Sequence, residues 1–218
     1  MKYMFASCRN LAVLNVSNFN TGNVTNMTGM FLECSSLTSL DVRGFDTSNV
    51  TNMNYMFSGC TGLTSLDVSG FNTSNVTTMR MMFNNCVKLE EIDVSRFDTS
   101  KVADMGGMFW YCSKLKSLDL SNFDTRAITS SGEVEGSNGT IYPTGLAKFA
   151  RSCPSLTEII LGENFGQSTN VPEAGSELSM FYVGSNVNTT VHGANSVMSV
   201  DNYGWSSDNR TYIAGSMY

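Results

Sequence analysis

Residues 56–79 read MFSGCTGLTSLDVSGFNTSNVTTM, and this stretch decides the fold. Leu66 and Val68 alternate with Ser65, Asp67 and Ser69, a period of two that predicts a short strand with Leu and Val turned inward. After Phe71, the Asn-Thr-Ser run is turn chemistry and predicts a helix N-cap. In the preceding copy Val50, Met53, Met56 and Phe57 fall at i, i+3, i+6 and i+7, which predicts one apolar face of a two-turn helix. Strand, turn and short helix together are too small to bury that face alone.

The solution is repetition. Cys8, Cys34, Cys60, Cys86 and Cys112 recur at a step of 26, and Cys153 follows 41 residues later, one period plus 15. Leu11, Leu37, Leu63, Leu89, Leu115 and Leu156 keep phase with them, as do Phe19, Phe45, Phe71, Phe97 and Phe123. So do Met27, Met53, Met79 and Met105. A period of this length with so many matched columns predicts a solenoid in which each unit covers its neighbours. Parallel strands about 4.8 Å apart would line one side, at residues 13–16, 39–42, 65–68, 91–94, 117–120 and 158–161. The bulkier helices would line the other, so the strands are expected on the concave face of an α/β solenoid.

LxxLxV with a downstream apolar anchor is the leucine-rich-repeat pattern. MFxxCxxLxxLDVSxFDTSNVTNM in particular resembles the BspA-type leucine-rich-repeat surface proteins of bacteria, including the mycoplasma-type lipoprotein repeats. The likeness runs from Met1 to about Gly162 and is tightest over residues 1–128. It implies a right-handed superhelix, a cell-surface or secreted location, and a non-enzymatic adhesion or binding role toward a protein or glycan on a host or neighbouring cell. It implies no catalytic motif. The competing expectation is a purely structural spacer within a larger surface protein. No signal or anchor is visible, and the first unit starts in mid-phase, Met1 matching Met27, so the chain is expected to be part of a longer protein.

The period lapses after Ile128. Residues 129–145 (TSSGEVEGSNGTIYPTG) read as an inserted loop. A sixth, degenerate unit then closes the repeat domain at 162, and its strand carries Ile160 where the others carry Asp. Residues 163–218, rich in Ser, Asn, Gly, Tyr and Val, are expected to form a small β-rich cap over the open end.

Composition narrows the function. The net charge is −6, with 13 Lys and Arg against 19 Asp and Glu. Residues 1–128 hold 10 basic and 11 acidic side chains, and residues 129–218 hold 3 and 8. Nothing there could neutralise a row of phosphates, so nucleic acid is not an expected partner. No apolar run reaches the about 18 residues that spanning a bilayer takes.

Four carboxylates, Asp41, Asp67, Asp93 and Asp119, occupy the outward strand position of successive units. They form the candidate binding row, with side chains expected about 5 Å apart. Like charges so placed repel; the hydroxyls of Ser39, Ser65, Ser117, Ser69, Ser95 and Ser121, Arg43, solvent cations or a cationic partner are the candidates to offset this. Trp110 and Tyr111 stand at variable positions the core does not need, which makes them candidate contacts unless they pack on the insertion or the tail. The cysteines lack ligand partners at metal spacing and read as buried thiols. His192 is the only histidine, and no nucleophile motif accompanies it. Neither a catalytic site, a metal nor a cofactor is expected.

Overall fold

The computed structural model describes residues 1–129, 131–136 and 139–165, with the strands Thr190–His192 and Tyr212–Ile213. The expected cap over 163–218 therefore lies largely outside the described residues.

The 26-residue period appears in the backbone as bonding between successive units. Phe5 N donates to Met30 O at 2.9 Å, Phe31 N to Met56 O, Phe57 N to Met82 O and Phe83 N to Met108 O. After the insertion, Phe109 N donates to Phe149 O at 2.7 Å. The amides between these donors turn back within their own unit, as in Met30 N to Met27 O (3.1 Å), Leu32 N to Gly29 O and Cys34 N to Phe31 O. Donors thus alternate along the segment, one to the next unit and one to the local turn.

This alternation replaces the expected helix, and no helix forms among the described residues. The cause is a left-handed residue every fourth position. Tyr3, Gly29, Tyr55, Met81, Gly107 and Lys148 all have φ near +60°, and so do Ser7, Glu33, Asn85, Tyr111 and Ser152, with Gly59 at 74°. A helix cannot pass through such residues. The i, i+3, i+6, i+7 spacing still buries Val50, Met53, Met56 and Phe57, because two linked turns bring the same residues inward. With flat turns in place of helices, the reason for putting the strands on a concave face is gone.

The strand side is also leaner than expected. Six strands are present among the described residues: β1 Ser117–Leu120, β2 Gly132–Glu135, β3 Ile141–Thr144, β4 Glu158–Leu161, β5 Thr190–His192 and β6 Tyr212–Ile213. Of the six expected positions only 117–120 and 158–161 become strands, and they pair in parallel with Asp119 opposite Ile160. Between earlier units this side holds single contacts, the bridge Ser65 to Glu91 and the bond from Glu90 N to Thr64 O. Interunit bonding is concentrated on the turns, and the LDV segments stand apart with shallow depressions between them. β5 and β6 extend the β4 edge in parallel, His192 lying in register with Ile160 and Ile213. They lengthen the row instead of lying across Ile160.

The core is a set of columns. Phe31, Phe57, Phe83 and Phe109 stack at 5.4–5.7 Å with interplanar angles of 2–12°, and Phe149 then turns edge-on. The DTSNVT turn supplies buried polar bonds between units. Thr99 Oγ1 donates to Asp124 O (2.9 Å) and accepts from Asp124 N (2.7 Å), and Thr47 does the same with Asn72. Asn49 and Asn75 side chains donate to Gly22 O and Ser48 O. Thr51 and Thr77 hydroxyls donate one unit back. Cysteine thiols add a further rung. All six are free; five are buried and Cys8 is half-exposed.

Candidate functional site

Each aspartate of the row is the middle residue of its LDV-type segment and caps the turn that follows. The Ser69, Ser95 and Ser121 amides donate to Oδ1 of Asp67, Asp93 and Asp119 at 2.9–3.0 Å, and the Ser69 and Ser95 hydroxyls add bonds of 2.7 Å. At Asp41 the residue two places on is Arg43. Its amide donates at 3.1 Å and its guanidinium grips both carboxylate oxygens at 3.0 and 2.8 Å. Such bonds favour the ionised form. The Arg43 side chain holds the Asp41 carboxyl down at about 2. Ser69 and Ser95 hold Asp67 and Asp93 below the ordinary carboxylate range, and mutual repulsion along the row is a smaller, opposing effect.

All four aspartates bond within their own turns, none to a neighbouring unit. Asp41, Asp67 and Asp93 are thus exposed, ionised and uninvolved in stacking, while Asp119 is half-buried. Between members of the row lie the depressions of the strand side. One of about 410 Å³ is bordered by Asp67, Asp93, Glu91 and Ile92, one of about 270 Å³ by Asp41, Asp67 and Leu40, and one of about 340 Å³ by Asp41, Arg43 and Ser17.

Trp110 and Tyr111 lie on the turn side, at the foot of the insertion. Within the insertion β2 pairs with β3 antiparallel, as a hairpin and not a bare loop. The hairpin seats on Gly106 and Gly107: a Cβ on Gly106 would stand 2.5 Å from the Pro143 carbonyl carbon, and one on Gly107 2.8 Å from its ring. Gly145 N donates to Asp104 Oδ1 at 2.9 Å, and Met105 N to Gly145 O. Lys148 pairs with Glu133 of β2 at 2.6 Å and lies 4.8 Å over the Trp110 ring. Trp110 is half-buried, its indole nitrogen enclosed and without a hydrogen-bond partner, while Tyr111 stacks on it and stays 46% exposed. The row and the aromatic pair thus belong to different sides of the molecule.

Sequence reasoning passed over Asp104 and Arg80. Asp104 stands in a column otherwise filled by Asn26, Asn52 and Thr78, each joined to the next by a parallel bridge. It is largely buried, which raises its pKa against the lowering effect of the Gly106 and Gly145 amides and of Arg80, 3.7 Å away. A carboxylate breaking an Asn/Thr column is the signal that would have found it. Among the described residues no three His, Cys, Asp or Glu side chains group so as to hold a metal ion, and no helix is long and apolar enough to cross a membrane.

One family model matches residues 1–123, that of the family described as Mycoplasma protein of unknown function, DUF285. No curated protein and no solved structure matches the chain.

Proposed function

This chain belongs to the DUF285 family of Mycoplasma proteins of unknown function, and on that premise we propose that it is a non-enzymatic binding module of a bacterial cell surface. In this reading the units form a solenoid of the BspA-type leucine-rich-repeat kind, with stacked turns in place of helices. The strand side meets a protein or glycan on a host or neighbouring cell. The observation that carries it is the aspartate row. Asp41, Asp67 and Asp93 are each fixed by their own turn, yet none holds two units together, so a repeated, oriented charge is left over from the architecture. Rigid polar groups bordering shallow depressions suit a broad surface contact better than an enclosed pocket. A surface location is supported by the likeness of the repeat to bacterial surface proteins.

Binding of the intact chain to arrays of matrix proteins and cell-surface glycans tests this, with D67A/D93A alongside. The expected result is a ligand whose affinity falls about tenfold or more in the double variant, a loss of about 1.4 kcal/mol, with thermal stability kept. The absence of any ligand weakened by the double variant overturns the aspartate row as the binding surface, and a chain that binds nothing on the arrays favours a spacer.

A further inference from the structure

The left-handed column on the turn side is best filled by glycine, as at Gly29 and Gly107, because a Cβ is strained there. Four units nevertheless carry large side chains at this place: Tyr3, Tyr55, Met81 and Lys148. The interunit bonds use the backbone and are the same in the glycine units; Tyr3 and Met81 also pack over Gly29 and Gly107 of the next unit, a reason that Tyr55 and Lys148 do not share. Their common feature is what they face. Lys148 holds the hairpin through Glu133. Tyr3, Tyr55 and Met81 line a cleft of about 580 Å³ between the turn surface and the hairpin. Strain kept at a column whose bulky members all meet the hairpin or line this cleft points to a role there.

The cleft is built of amphipathic parts. Tyr3 leans across the bare backbone of Gly29, where a Cβ would come within 2.3 Å of its ring. Tyr55 stands one unit further on, edge to Tyr142 of β3 at 5.9 Å. Arg80 lies over the Tyr55 ring at 5.7 Å. Asn84, accepting from Ser58 and donating to Trp110 O, is set by both contacts. Glu33 and Glu135 complete the polar lining.

We propose that this cleft is a binding site for a neutral saccharide. Three phenol rings offer apolar edges and what face area Arg80 and Gly29 leave uncovered for the C–H side of a sugar ring, and hydroxyls for its rim, and Asn, Glu and Arg groups supply donors and acceptors for hydroxyls. The volume lies within the roughly 300–1,000 Å³ of small-molecule sites. Charge argues against an anion: Arg80 is the single cation of the lining, it already faces Asp104, and two glutamates stand beside it. It argues against a cation as well, since Arg80 covers the ring that would receive one and Glu33 is engaged by Arg9.

The site is separate from the aspartate row, so D67A/D93A and Tyr55→Gly tell failure of one reading from failure of the other. The test is an array of neutral oligosaccharides ending in glucose, galactose, mannose or N-acetylhexosamine, with sialylated and sulfated glycans and tyrosine-rich peptides as comparisons. Tyr55→Gly puts the residue the column favours in place of the ring, so it is expected to fold at least as stably as the parent. Saccharide binding should fall about tenfold or more in Tyr55→Gly and in Tyr142→Ala and be unchanged in D67A/D93A. Binding confined to anionic glycans or peptides, no binding at all, or undiminished binding by a folded Tyr55→Gly overturns the proposal.

Discussion

The Cys60 thiol donates to the main-chain carbonyl of Phe31, 29 residues earlier, at 3.1 Å. Cys34, Cys86, Cys112 and Cys153 make the same bond to Phe5, Phe57, Phe83 and Phe109 at 3.1–3.2 Å. The thiols are therefore directional rungs between units as well as small apolar fillers. Cys60→Ser keeps a donor and Cys60→Ala does not. Urea unfolding is expected to rank parent, then Ser, then Ala, with about 1 kcal/mol between the variants. An alanine variant as stable as serine would reduce the thiol to a filler.

The same thiols predict an alkaline limit. Burial pushes Cys34 up to about 11 and Cys86 and Cys153 up to about 12, whereas an unfolded chain ionises near about 8.5. A pKa raised by folding stabilises fully below the unfolded value and is lost as pH rises through the folded one. Stability should hold to about pH 8.5 and decline from there to pH 12. With Cys8 replaced by serine, thiolate absorbance is expected to rise only together with unfolding, and Cys86→Ala should lessen the slope. In that background, thiolate formed near about pH 9 while the circular dichroism is still native would contradict this.

At Asp41 the sign is reversed. Arg43 holds its carboxyl at about 2, so the contribution is present above the ordinary value of about 3.9 and is lost as pH falls through 2. Carboxyl NMR titration should find Asp41 more acidic than Asp67 and Asp93, and Arg43→Ala should return it toward Asp67. An unmoved Asp41 would remove the guanidinium from the account.

Thr99 and Thr21 share a column but not a role. Thr99→Val strands the buried amide and carbonyl of Asp124 and is expected to cost roughly 1–3 kcal/mol. Thr21 Oγ1 is buried with no partner, so Thr21→Val should be neutral or stabilising. Chemical denaturation of the two variants side by side decides it, and equal losses would mean that burial, not bonding, sets the cost.

Gly106→Ala drives a Cβ into the Pro143 backbone. The hairpin is expected to lift, giving faster proteolysis within 129–145 and loss of the Tyr55–Tyr142 contact, while the first four units keep their exchange protection. A hairpin cleaved at the parental rate would show that the seat has slack.

The period and the identity of the buried residues were legible in the sequence, because Phe57, Met53, Leu63 and Cys60 are core whichever local conformation holds them. The conformation was not. An i, i+3, i+6, i+7 apolar spacing fits a helix and fits two linked turns equally, and only the left-handed residues distinguish them. Gly29 and Gly107 in one phase, with Gly59 and Asn85 four places on, were the available sign. Missing strands at 39–42 and 65–68 have a related cause: alternation reports which side chain is buried, not whether the backbone finds a partner. For the aspartate row, outward placement was readable, and so was Arg43 as a partner. The hairpin cleft was not, because it depends on how residues 132–144 fold back onto Gly106.

In each unit the turn offers its donors on one face and its carbonyls on the other, at matching heights. One unit is therefore a complete answer to another of the same kind. Excising or duplicating a 26-residue block in frame would leave every surviving amide opposite an equivalent carbonyl. Length can then change by recombination in whole units without a new interface having to evolve, and the reach of the molecule becomes a quantity that selection can adjust one step at a time.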